Sequence, residues 1–285
     1  MRRLALCNEV IADREFAAQC VYAAELGYDA LEVAPFTLGE DPLRLPVHRR
    51  NEVRRAASDA GIAISGLHWL LVKPEGLSLT TVDAAARDRT RDALVALVDL
   101  CAELGGRYLV HGSPKQRATP PGVDRSVATA LIAEGLAHAA QAAERAALQY
   151  LIEPLPVDET DQINTLDEAV ALVREIDSPA LATMIDTKSV ALAEAKSAAE
   201  LVSQWLPTGL IRHVQLNDRN RRGPGQGSDR FAPVLAALVE GGYDGDIAIE
   251  PFDYRPDGSA CAARAVGYVR GVLEGLAHRR SPDIH

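Results

Sequence analysis

Eight short apolar runs recur along the chain, at residues 4–9, 30–36, 63–71, 107–113, 149–155, 182–187, 211–217 and 246–252, with starts about 25–45 residues apart. Each run has strand length, and the stretches between them are Ala-rich with apolar residues at helical spacing. In 166–176, Leu166, Val170 and Val173 share one face while Asp167, Arg174 and Glu175 take the other. In 13–26, Asp13 is placed to cap the start of a helix and Gly27 its end. Strands joined one by one through helices must lie parallel, because each helix carries the chain back across the sheet. Eight such units with no linker between them predict an α/β fold, a (β/α)8 TIM barrel. A single domain is expected over 1–277, its last helix over about 260–277, followed by a polar tail at 278–285. A doubly wound sheet is the alternative, but no GxGxxG follows the first run and eight repeats favour closure.

Composition narrows the function. The 285 residues carry 30 Lys+Arg against 40 Asp+Glu, a formal net charge of -10, which argues against a nucleic-acid backbone as partner. No stretch approaches the roughly 20 apolar residues of a membrane span, and the apolar run near Met1 is too short for a signal sequence. Cys7, Cys20, Cys101 and Cys261 show no CxxC spacing and read as core residues of a reducing compartment. A cytoplasmic protein is the expectation, with no nucleic-acid and no membrane partner.

In a barrel, chemistry collects where strands end. Those positions hold Glu32, His68, His111, Glu153, Asp186, Gln215 and Glu250. A carboxylate ending an apolar strand loses hydration and must find a cation, a donor or a proton. Three of them, on strands five, six and eight, converge on one rim and point to a metal site. Glu32 is either a supporting group or a rim ion pair. His68 alternates with Trp69; if Trp69 packs outward on the helices, His68 faces the barrel mouth. His68 and His111 are candidate substrate contacts, with satisfied core histidines as the plainer reading. The chain has only four lysines, and Lys73, Lys115 and Lys188 follow strands three, four and six. Lys115 and Lys188 would offer cations to a substrate oxyanion or move a proton, against a solvated rim. The GPGQG run at 223–227 reads as a flexible loop over the site.

The segments IEPLPVDETD, MIDTKS, RHVQLNDRNRRGPGQG and GYDGDIAIEPFDY resemble, in order and over nearly the whole chain, the xylose-isomerase-like barrels that include the ketose 3-epimerases. The resemblance implies one divalent ion held by Glu153, Asp186, Gln215 and Glu250, manganese foremost, with magnesium or cobalt as the other ions. The family's histidine ligand falls on Gln215, and His213, two residues earlier, is the other candidate. An all-oxygen set would suit a hard ion. The resemblance also implies Glu153 and Glu250 as acid and base through an enediolate, and Glu159 and Arg221 as substrate contacts. Where ketose epimerases carry a substrate-binding histidine, this chain has Ser189. The implied function is a metal-dependent isomerase or epimerase of a sugar or keto-sugar, and a homo-oligomer is open. A dehydratase or lyase of the inosose dehydratase or C-glycoside-cleaving kind, an endonuclease IV-like phosphodiesterase, and a non-catalytic sugar-binding barrel or partner subunit are the alternatives.

Overall fold

The structure is a computed structural model that describes residues 3–280. Strands β1 (Leu4–Cys7), β2 (Ala30–Val33), β3 (Ala63–Leu67), β4 (Tyr108–His111), β5 (Gln149–Ile152), β6 (Leu181–Asp186), β7 (Ile211–Leu216) and β8 (Ile247–Ile249) form one closed barrel in chain order. All neighbours pair in parallel, and β8 returns to pair with β1. The helices are α1 (Phe16–Leu26), α2 (Val47–Asp59), α3 (Ala84–Leu104), α4 (Pro114–Arg117), α5 (Arg125–Arg145), α6 (Leu166–Ile176), α7 (Thr187–Ala193), α8 (Ala198–Trp205), α9 (Ala232–Glu240) and α10 (Gly258–Arg280). The predicted (β/α)8 barrel is the fold. Among the described residues, no helix is long and apolar enough to cross a membrane.

The strands are shorter than the apolar runs because the chain leaves the sheet at the rim. Trp69 and Ser113 adopt left-handed backbone (φ 52° and 42°), which ends the pleat just past β3 and β4. Two helix ends differ from expectation. α1 begins at Phe16 behind Glu15, and Asp13 is an exposed partner of Arg14 instead of a cap. α10 continues to Arg280, beyond the expected end at 277, and the expected tail at 281–285 lies outside the described residues. Gly27 closes α1 at φ 91°, its N–H reaching the carbonyls of Ala23 and Ala24.

Alternation along each strand separates two cores. Leu4, Leu6, Leu31, Leu109 and Ile152 face the helices and belong to the main apolar cluster, each buried leucine or isoleucine contributing about 1.5–3 kcal/mol. Tyr108, Val110, Leu151, Ala182 and Met184 turn inward as a second cluster, one layer below the rim. At the opposite end of the barrel, the buried Asp246 carboxylate accepts from Arg3 at 2.9 and 3.0 Å and from Arg107 at 2.7 Å.

Candidate metal centre

Glu153 follows β5, Asp186 ends β6 and Glu250 follows β8, and all three are buried. One oxygen from each lies within 4.8 Å of one from each of the others. They point inward because Leu151 and Met184, two residues before Glu153 and Asp186, do. Asp186 caps α7: Oδ1 accepts the Ser189 N–H at 2.7 Å, and Oδ2 accepts the Asn217 amide at 2.7 Å. The same Asn217 amide donates to the Glu250 carbonyl at 3.0 Å, and its Oδ1 accepts the Lys188 N–H at 2.9 Å. One side chain thus locks together the ends of β6, β7 and β8.

The cluster carries excess negative charge. Burial, with Glu250 and Asp186 beside it, pushes Glu153 well above the usual carboxylate range. Burial also raises Glu250 to about 7, although His68 works against that. A divalent cation among three such groups would reverse the balance. Gln215 pairs in register with Asp186, and its Oε1 is buried without a partner, while its Nε2 donates to Glu32 at 2.7 Å. Three carboxylates and an unclaimed amide oxygen fit a hard divalent ion. His213, the other candidate ligand, sits a layer lower. Its Nε2 lies 2.8 Å from Glu32 and its ring centroid 4.3 Å from that of Tyr108. Glu32 itself is fully buried, so it is no rim ion pair. Burial opposes its charge, yet His213 and the Tyr108 hydroxyl hold it down at about 2.

Beside Glu153 and Glu250 lies a narrow pocket of about 20 Å³ with Trp69, Leu155, Phe252, Glu159 and Lys188 in its wall. His68 is inside it, Nδ1 3.1 Å from Glu250 and Nε2 3.0 Å from Glu9. Burial disfavours the imidazolium, but Glu9 and Glu250 outweigh it and hold His68 protonated well above its ordinary range. Cys7, Glu9, His68 and Glu250 form a second close group, threaded by these bonds. Trp69 does not pack outward as expected. Its left-handed backbone turns the indole back, so that Nε1 donates to Glu250 at 3.1 Å and the ring meets Phe252 edge-on at 6.2 Å.

Lys188 is buried with Nζ 2.5 Å from Glu159 and 4.8 Å from the Phe252 ring centroid. Arg221 is exposed, 5.7 Å over the same ring, and its carbonyl accepts the Phe252 and Asp253 N–H groups. Lys115 is exposed on α4 and outside the pocket wall, whereas Arg117, one short turn on, is fully buried. Arg117 donates weakly to the His111 carbonyl at 3.4 Å, and its charge acts on Glu153 and Glu159. The 223–227 loop is not a cover: Gln226 donates to the Cys261 carbonyl at 3.0 Å, and Gly225 lies against Tyr268 of α10. All four cysteines are buried and free.

His111 lies on the helix-facing side of β4 with Leu109, its Nδ1 2.7 Å from the Tyr150 hydroxyl. These are the surroundings of a core histidine. Burial, with Arg117 adding to it, lowers His111 to about 3, so the folded protein keeps it neutral. The unfolded chain takes up that proton below about pH 6.5, so its stabilisation is complete above 6.5 and shrinks as pH falls toward 3. The expected slope is about 1.4 kcal/mol per pH unit from this group. Denaturant unfolding of the protein and of His111→Asn at several pH values from 7 to 4 measures it; identical slopes would refute a neutral buried His111.

Residues 20–272 match the model of the xylose isomerase-like TIM barrels, and the chain belongs to that family. Among its relatives, the D-psicose 3-epimerase of Ruminiclostridium cellulolyticum is 26% identical over 80% of this chain and 75% of its own length. The structure of an L-ribulose 3-epimerase superposes with a TM-score of 0.83 at 20% identity, over 98% of this chain and 97% of that one. An Escherichia coli 3-keto-D-glucoside 4-epimerase gives 0.80 at 19% identity, over 95% and 100%. These two likenesses are of fold.

Proposed function

We propose that this chain is a divalent-metal-dependent epimerase of keto-sugars that abstracts a proton next to a carbonyl. The observation that carries the reading is the pair Glu153 and Glu250: two buried carboxylates from separate strands, in one pocket wall. The names of the sequence relatives, ketose 3-epimerases among them, support it. Glu153, Asp186, Gln215 and Glu250 would hold the ion. Its chemistry there is to polarise the carbonyl and neighbouring hydroxyl and stabilise the charge that develops on oxygen.

The protein's own groups do the rest. One glutamate removes the proton from the carbon beside the carbonyl, and the other delivers one to the opposite face. Each glutamate must alternate between base and acid in the course of the cycle. His68 and Trp69 fix the Glu250 carboxylate from one side, and Asn217 fixes the backbone beneath it. Trp69, Leu155 and Phe252 form an apolar wall that excludes water from the reacting carbon. Glu159 and Lys188, already paired, present a formally neutral polar edge suited to sugar hydroxyls.

Solvent deuterium exchange tests this directly. With manganese added, a panel of ketoses and keto-sugars in D2O should yield a substrate that gains deuterium beside its carbonyl and appears as its epimer. Exchange with loss of water or of a glycosidic group would assign a lyase instead. No exchange in any member, with metal bound, would overturn the proposal.

A further inference from the structure

Gln215 stands where its family resemblance expects a histidine, and a glutamine poses a problem that a histidine does not. Its flat amide has two opposite ends, and only the oxygen ligates a cation. Which end faces the centre is decided by what the other end meets.

That other end meets Glu32. The carboxylate is fully buried at the end of β2, and five groups face it: the Tyr108 hydroxyl at 2.5 Å, Gln215 Nε2 at 2.7 Å, His213 Nε2 at 2.8 Å and, farther off, the Cys7 thiol at 3.6 Å and His68 Nδ1 at 3.7 Å. A carboxylate so surrounded only accepts. Turning the Gln215 amide over would set two oxygens 2.7 Å apart and aim an NH2 at the cation site. The amide oxygen is instead left buried and unclaimed, in the layer of Asp186. We propose that Glu32 is a positioning residue for the metal centre: by taking the amide nitrogen of Gln215 it selects the carbonyl oxygen as the ligand. The proposal rests on the metal-centre reading above. Glu32 touches neither ion nor substrate in this scheme; it acts through Gln215, in the way a carboxylate behind a metal-bound histidine fixes its ring.

The test is manganese affinity of chelator-stripped protein, by calorimetry, across a double-mutant cycle. The natural chain should take up one ion. Glu32→Gln should weaken binding roughly 10–100-fold, the usual effect of losing such a supporting group. In a Gln215→Glu background the sign should reverse. There Glu32 opposes a second carboxylate, and Glu32→Gln supplies the missing N–H, so binding strengthens. A general structural role would weaken binding in both backgrounds and would overturn the proposal while leaving the metal centre intact. No manganese uptake by the natural chain would overturn the metal centre and this proposal with it. Should Glu32→Gln fail to fold, a manganese-loaded crystal structure of the natural chain decides. Gln215 must bind the ion through oxygen while its nitrogen stays on Glu32; release of either contact overturns the idea.

Discussion

Turnover falls by roughly 10²–10⁴-fold when either Glu153 or Glu250 is replaced by glutamine, the usual contribution of a general acid–base group. The amide oxygen remains available to the ion, so metal content should change much less than rate. The loss should also be one-sided. With Glu250→Gln, the epimer whose proton faces Glu153 still exchanges that proton with solvent, while the other does not. Glu153→Gln should show the reverse. Rate measurements with metal content checked, and deuterium wash-in from each epimer separately, resolve the two effects. Full activity in either variant would replace the two-base scheme with a single base.

Gly112→Ala is expected to lower turnover and manganese affinity by about 100-fold, the scale of a small displacement in a catalytic site. A Cβ at this position overlaps Glu153 Oε2, and Gly112 is not in left-handed backbone, so alanine strains nothing else locally. The atom in the way is the end of a movable side chain, so the fold yields cheaply. Melting temperature should therefore hold or rise slightly, as alanine also restricts the unfolded chain. A variant that melts early would mean that β4 itself had shifted. A stable variant with normal metal affinity would mean that Glu153 can retreat without loss, and its place in the cage would be wrong.

The barrel was legible because its evidence repeats: eight apolar runs tolerate error in any one of them. The meeting of Glu153, Asp186 and Glu250 was legible for a related reason, since the end of an apolar strand is a costly place for a carboxylate. What escaped depends on single backbone angles. Trp69 obeys strand alternation until one left-handed residue turns its indole to Glu250. Lys115 and Arg117 share one turn of helix, and nothing in SPKQR says which is buried. Asn217 could have been found, since it shares a parity with Gln215 and so an inward face. Glu9 could not, because it lies in a 3-10 turn past β1 with no periodicity to read.

The Arg3–Asp246–Arg107 cluster has a consequence for how the protein is made. Asp246 precedes the last strand, and the two arginines it holds precede the first and the fourth. A ribosome releases Arg3 and Arg107 long before their anion, and β1 and β7 wait as open edges until β8 is synthesised. Only when Asp246 and β8 (Ile247–Ile249) have been made are both the electrostatic tie and the hydrogen-bonded ring complete. Nascent chains halted short of that point carry two sticky edges and unmatched positive charge, the species on which chaperones and proteases act.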